Sequence, residues 1–361
     1  MGIRVGMIGL THPHSAMYLR TLESLAAVSG VVLCDPEATA RERVVREYPK
    51  AVGAVADLEA LLSLPDVPVL LVTLPTNQVP DVLVRAARAG KHLICEKPCA
   101  RSAEEFRPVL AALAAGRVQL TTAYLWRAHP AMLKMRELVN EGALGRLTSV
   151  ELRMVTTQIR LRDPSHWLFR RDVAGGGILT WLGCHWLDLL RYLTGEEVTQ
   201  VSATLATLSG EAIDVEDVAS VSMRLNGGAV ASLYAGYLLP TGNPGYEGAG
   251  YDQAIILRGT LGTLSYQRDA GDHLVKLESI AAGWQAAPWQ TFRFTLPVVP
   301  AYGGAHGLKF VDDFLRFALT GEGENLVSPE DAMRLLEILD AAYLSARSGA
   351  VADVRRREDA E

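Results

Sequence analysis

The chain has 361 residues, 49% of them hydrophobic, and a formal net charge of -6. That size suits two domains with a sizeable core, and the mild acidity argues against nucleic acid as a main partner, because phosphate binding wants a basic face. No apolar run reaches the roughly 18 residues of a membrane span, the apolar start lacks a basic leader and cleavage site, and Cys34, Cys95, Cys99 and Cys184 show neither disulfide nor zinc spacing, so a cytoplasmic protein with reduced thiols is expected.

Residues 1–122 alternate β-like runs with helical patterns. Strands are predicted at Ile3–Leu10, Val31–Cys34, Val69–Leu74, Leu93–Cys95 and Val118–Thr122, with helices at His14–Ala27 and Ala38–Tyr48 and an alanine-rich helix before Gly90. This alternation predicts an α/β domain, a doubly wound parallel sheet covered on both faces. Residues 123–361 read differently. After a short helix at Met132–Asn140, strands are expected at Leu147–Thr157, Val198–Leu208, Val218–Leu225, Ala229–Tyr237, Ala254–Gly259 and Gly262–Gln267. Several alternate polar and apolar residues, as an antiparallel sheet with one exposed face does. Helices at Ile178–Leu193, Gly307–Thr320 and Pro329–Ser348 complete an α+β second domain. The stretch Pro240–Gly250 is glycine-rich and expected to be a mobile loop. The charged tail Arg355–Glu361 is expected to fray.

The chemistry-bearing residues collect at predicted strand ends, where open α/β sheets bind ligands. Glu96-Lys97-Pro98 follows the apolar run Leu93–Cys95, so a lysine sits beside a carboxylate at a strand's carboxyl end. The first strand-to-helix turn, Gly9-Leu10-Thr11-His12-Pro13-His14, matches the dinucleotide fingerprint G-x-G-x-x-G only at Gly9; Thr11 and His14 replace the other glycines. Thr11 and Ser15 offer hydroxyl donors beside a helix N-terminus, which attracts phosphate; a plain turn without ligand is the alternative. The pair His12 and His14 also admits a metal reading, but the later strand ends carry Asp35, Pro75 and Glu96 and no histidine, so no metal is expected. Asp35 ends the second strand, where an acid bonds the adenosine ribose and repels the extra phosphate of NADP, favouring NAD; it also suits a helix cap.

In the second half, Gly175-Gly176-Gly177 opens the helix that carries Trp181, His185 and Asp188. Three glycines there permit close backbone approach to some other group. Trp181 and His185, four apart, share a face, and His185 reads either as a general base or as a core histidine. Tyr124, Arg127 and Trp167 are candidate substrate contacts, with Arg171 as a further pocket wall.

Together these segments resemble the Gfo/Idh/MocA family of NAD(P)-dependent oxidoreductases over almost the whole chain. The resemblance rests on Val5–His14, Ala89–Pro98, Tyr124–Pro130 continuing into Glu141–Gly145, and Gly175–Asp188. It implies an N-terminal Rossmann domain, a C-terminal domain built on a large open sheet that forms a homodimer or homotetramer, and sugar, cyclitol or related polyol substrates. Carried over by position, Lys97 is the catalytic lysine and His185 the acid/base. NAD would contact Gly9, Thr11, His12, Asp35, Pro75, Thr76, Asn77, Glu96 and Lys97. The substrate would meet Tyr124, Arg127, Trp167 and Trp181. Trp181 stands where the family often has an aspartate, and Val79 where many members have histidine. The implied activity is reversible hydride transfer between NAD and a small-molecule substrate. Two alternatives stay open: glycoside hydrolysis with a recycled cofactor, and a non-catalytic nucleotide-sensing or partner protein.

Overall fold

The computed structural model describes residues 2–242, 250–269 and 271–354; most of the glycine-rich stretch and the charged tail lie outside the described residues. The chain forms two compact units. The first takes the described residues up to Ala128 together with Pro297–Met333, and the second takes His129–Leu296 and the stretch from Arg334.

The first unit alternates β1 (Ile3–Ile8), α1 (Ser15–Ser24), β2 (Val28–Cys34), α2 (Ala38–Glu47), β3 (Ala51–Val55), α3 (Leu58–Leu62), β4 (Val69–Val72), α4 (Val79–Arg88), β5 (His92–Cys95), α5 (Ala103–Gly116) and β6 (Leu120–Thr122). All strand pairs are parallel, in the order β3-β2-β1-β4-β5-β6. This is the doubly wound arrangement of two mononucleotide-binding halves. The central strands read as unbroken apolar runs because helices cover both faces: every residue of β4 is buried. β1 stops at Ile8, two residues short of the expected end, because Gly9 turns the chain. The short edge strand β3 escaped the sequence reading. Its run Ala-Val-Gly-Ala-Val has weak β-propensity and is buried on neither face.

The second unit opens with α6 (Pro130–Asn140) and continues with β7 (Leu147–Thr157), α7 (Arg171–Ala174), α8 (Cys184–Thr194), β8 (Val198–Ala206), β9 (Val218–Leu225), β10 (Val230–Leu239), β11 (Tyr251–Gly259), β12 (Gly262–Asp269), β13 (Asp272–Ser279) and β14 (Trp289–Phe294). α9 (Gly304–Thr320), in the first unit, α10 (Pro329–Ser348) and the two-residue β15 (Ala352–Asp353) follow. The nine-stranded sheet has the order β14-β13-β12-β11-β7-β10-β9-β8-β15, antiparallel except where β7 and β10 run parallel. Burial alternates along β9, with Ala219, Val221, Met223 and Leu225 inward. That period of two is the signature of a sheet with one face packed. Strands β13 and β14 were not foreseen: β14 is an edge strand with no fully buried residue, so packing leaves little mark on its composition. No helix among the described residues is long and apolar enough to cross a membrane.

Candidate active site

In the first unit the expected nucleotide-binding residues gather at the carboxyl ends of β1, β2, β4 and β5. Gly9 has φ of 87°, and a Cβ there would lie 2.1 Å from the Thr73 carbonyl oxygen, so only glycine fits this turn. The Thr73 and Ser15 hydroxyls both donate to the Gly9 carbonyl, at 2.6 and 3.0 Å. Asp35 is buried, and its carboxylate accepts the Leu10 N–H at 2.7 Å and the Glu37 N–H at 2.9 Å. It thus ties the end of β2 to the first turn and orders the approach to α2. The Arg41 guanidinium donates to the Asp35 carbonyl at 2.5 Å, a cation from the next helix that the local sequence did not suggest. Thr11 is exposed and His12 buried. Pro75, Thr76 and Asn77 form the turn between β4 and α4, with Thr76 buried and Asn77 exposed.

His14 does not act as a substitute glycine. Its backbone N–H donates to His12 Nδ1 at 3.1 Å, and its imidazole turns toward Glu96, with Nδ1 3.2 Å from Oε1. Glu96 is only 3% exposed. Its Oε2 accepts the Tyr18 hydroxyl at 2.5 Å, and its Oε1 accepts the Tyr302 hydroxyl at 3.4 Å. The Lys97 ammonium lies 3.8 Å from the same Oε1, with its side chain fully buried. The Tyr302 ring packs on His14 and Tyr18, at centroid distances of 4.4 and 4.6 Å. Burial alone would push the Glu96 carboxyl up. The His14 imidazole, by its charge and its hydrogen bond, and then the Lys97 ammonium outweigh it and hold the carboxyl at about 2. Burial first, then the Glu96 charge, pushes the Tyr18 phenol well up, so it stays a donor.

Tyr124 is buried beyond the end of β6. Arg127 is buried as well, and its Nη1 donates to the Leu326 carbonyl at 2.8 Å and to Asp331 at 2.9 Å. These bonds, with Asn325 donating to the Leu120 carbonyl at 2.8 Å, fasten the returning segment Pro297–Met333 to the edge of the first sheet. Arg127 thereby has a structural duty that spacing alone did not reveal.

In the second unit His185 lies in the first turn of α8 and is buried, and Asp188 is fully buried one turn on. A π-helical turn, Leu179–Gly183, precedes them and carries Trp181. Trp167, in a 3-10 turn, packs edge-to-face on Trp181 at 6.4 Å. The triple glycine does permit a close approach, but the approaching groups belong to the same unit. A Cβ on Gly176 would lie 1.8 Å from the Tyr343 hydroxyl, and one on Gly177 would lie 1.9 Å from the Glu216 carbonyl. Glu216 is 2% exposed, and its Oε1 accepts the N–H groups of Gly177 and Leu179 at 2.9 and 3.1 Å. Neither Glu216 nor Tyr343 was foreseen; the pairings span 39 and 37 positions for Glu216 and 127 for Tyr343.

Comparison with known proteins agrees with both units. Residues 3–124 match the family model described as an oxidoreductase family with an NAD-binding Rossmann fold, and residues 132–265 match the Gfo/Idh/MocA C-terminal domain. The chain belongs to the Gfo/Idh/MocA family. As a member it is an oxidoreductase with an NAD-binding domain. Among its relatives, the inositol 2-dehydrogenase of Rhizobium meliloti is 28% identical over 347 residues, 96% of this chain and 97% of the relative. The levoglucosan dehydrogenase of Pseudarthrobacter phenanthrenivorans is 28% identical over 341 residues, 84% of each chain. A solved levoglucosan dehydrogenase in complex with NADH and levoglucosan shares the fold, with a TM-score of 0.83 and 24% identity over 99% of this chain and 100% of that one.

Proposed function

We propose that the protein catalyses reversible, NAD(H)-dependent oxidation of a secondary hydroxyl on a sugar or cyclitol. The observation that carries this reading is the buried Glu96–Lys97 pair at the end of β5, beside a Gly9 turn and an Asp35 that fit a dinucleotide. NAD, when bound, supplies the hydride acceptor. Gly9 allows close backbone approach, Thr11, His12, Thr76 and Asn77 line the same strand ends, and the Asp35 carboxylate keeps acceptor capacity for a ribose diol beyond its two N–H partners. That carboxylate also supports NAD over NADP; the nearby Arg41 gives one of its N–H donors to the Asp35 main chain.

Lys97, held by Glu96, stabilises developing alkoxide charge, and His185 accepts the hydroxyl proton. Trp167 and Trp181 offer an aromatic surface to substrate, and Tyr124 and Arg127 shape the first unit beside the cofactor residues. The homo-oligomer expected of this family finds support in Val230, Tyr234 and Leu238, exposed along β10. Light scattering on the purified protein reads the assembly. Four buried thiols suit the reducing cytoplasm.

A thermal-shift screen with NAD(H) and NADP(H), followed by myo-inositol, levoglucosan and other polyols, tests the cofactor and substrate class. Lys97→Ala and His185→Ala should each lower turnover about 10²- to 10⁴-fold while NAD binding is partly kept. Hydride transfer at the normal rate in single turnovers of both variants removes these roles.

A further inference from the structure

We propose that Glu216, together with Tyr343, is a positioning residue for His185, fixing the start of the helix that presents the imidazole. The proposal rests on the reading of His185 as the proton acceptor.

A helix leaves its first amides without partners inside the helix. Here three consecutive amides go to a single residue. Gly177 and Leu179 donate to Glu216 Oε1, and Ile178 donates to the Glu216 carbonyl at 3.0 Å. The next residue is tied to the same cluster. Tyr343 donates its hydroxyl to Glu216 Oε1 at 2.8 Å, and Thr180 in turn donates to the Tyr343 oxygen at 2.8 Å. Residues 177–180 are thus held one after another by two side chains from distant segments. Gly176 and Gly177 lack side chains because Tyr343 and the Glu216 backbone occupy that space.

What this cluster fixes includes the start of the π-helical turn Leu179–Gly183, and His185 comes just beyond that turn. A π turn carries an extra residue, so the residues beyond it are rotated relative to a continuous α-helix. The direction of His185 therefore depends on where that turn begins. One residue later, Trp186 Nε1 donates to the Ala254 carbonyl at 3.1 Å and holds the far side. Proton transfer tolerates little misplacement, and an error near 1 Å costs about a hundredfold.

The test uses the full chain labelled with ¹³C-histidine, the His185 signal being assigned by its loss in His185→Ala, and turnover of NAD with myo-inositol or levoglucosan. Glu216→Ala should displace the His185 signal and lower kcat about tenfold or more, with KM within about twofold. Glu216→Gln should restore both, because its amide oxygen accepts the same N–H groups. Tyr343→Phe should fall between them. In the His185→Ala background, Glu216→Ala should change residual turnover less than about twofold. A folded Glu216→Ala with an unmoved His185 signal and normal kcat overturns the proposal. Should that variant not fold, an unmoved signal in Tyr343→Phe overturns it instead. If the signal moves but His185→Ala retains full turnover, the positioning stands and the acid–base reading fails. If His185→Ala loses turnover and the signal stays put in the clamp variants, the reverse holds.

Discussion

Glu96 in the first unit and Glu216 in the second are buried to the same degree, at 3% and 2% exposure, yet their acidities move in opposite directions. Burial pushes both carboxyls up. Around Glu96 it is overcome by His14 and Lys97, and the group is held at about 2. Around Glu216 it wins, because the Tyr343 hydroxyl and the amides of Gly177 and Leu179 bring dipoles but no full charge, and the carboxyl stays raised. The charge of the neighbours, not the depth of burial, decides which way a buried acid shifts. The first cluster is built to keep a charge beside Lys97, and the second to hold backbone in place.

The sharpest way to break this contrast is the same substitution at both sites. Glu96→Gln leaves Lys97 and its histidine neighbours without their buried anion and should cost about 3–5 kcal/mol, the usual range for breaking a buried pair from one side. Glu216→Gln keeps an acceptor for the same donors and should cost within about 1 kcal/mol. Urea unfolding of the two variants against the parent measures both, and equal losses would erase the distinction. Acidity adds a second reading. The stability that Glu96 contributes is fully present above its ordinary value of 4.5 and is lost as pH falls through about 2. Glu216 has the opposite sign: its raised carboxyl favours the fold below 4.5, and that contribution is lost as pH rises through its folded value. From about pH 7 to about pH 3 the gap between parent and Glu96→Gln should narrow, while the gap between parent and Glu216→Gln should shift in favour of the parent.

Gly177→Ala comes next in size. Its Cβ would meet the Glu216 carbonyl at 1.9 Å, and backbone cannot step aside as a side-chain tip can. A loss of about 2–4 kcal/mol is expected, by the overpacking mechanism. Thermal unfolding checks it. A loss below about 0.5 kcal/mol, the scale of ordinary surface substitutions, would show that the triple glycine is not required by Glu216.

How far the sequence could foresee these clusters depends on how local their causes are. The placement of Glu96 and Lys97 was legible, because β5 is an apolar run covered on both faces and a triplet after it must stand at the strand end. The long strands β7 and β9 were legible to the residue, since one packed face writes a period of two into the composition. β3 and β14 were not, being edge strands with little buried surface. The triple glycine announced a close approach, but Glu216 and Tyr343 come from elsewhere in the chain, and no local pattern names a partner. Nor did spacing show that Pro297–Met333 returns to the first unit, which is what brings Tyr302 to Glu96, 206 positions away.

The two tyrosines on Glu96 give the finest test of a charged cluster. Tyr18 donates at 2.5 Å to Oε2, and Tyr302 at 3.4 Å to Oε1, an oxygen already near His14 and Lys97. A hydrogen bond to an ionised group contributes about 1.5–3 kcal/mol, and a long, shared one less. Tyr18→Phe should therefore cost about 2 kcal/mol and Tyr302→Phe less than about 1 kcal/mol. Tyr302→Phe keeps the ring against His14 and Tyr18, so any loss reports the hydroxyl alone. In the Glu96→Gln background both effects should shrink, since a neutral amide oxygen is a weaker acceptor than a carboxylate. A double-mutant cycle by urea unfolding reads that coupling. Undiminished losses in the Glu96→Gln background would mean that the hydroxyls contribute independently of the Glu96 charge, and that this charge rests on His14 and Lys97 without them.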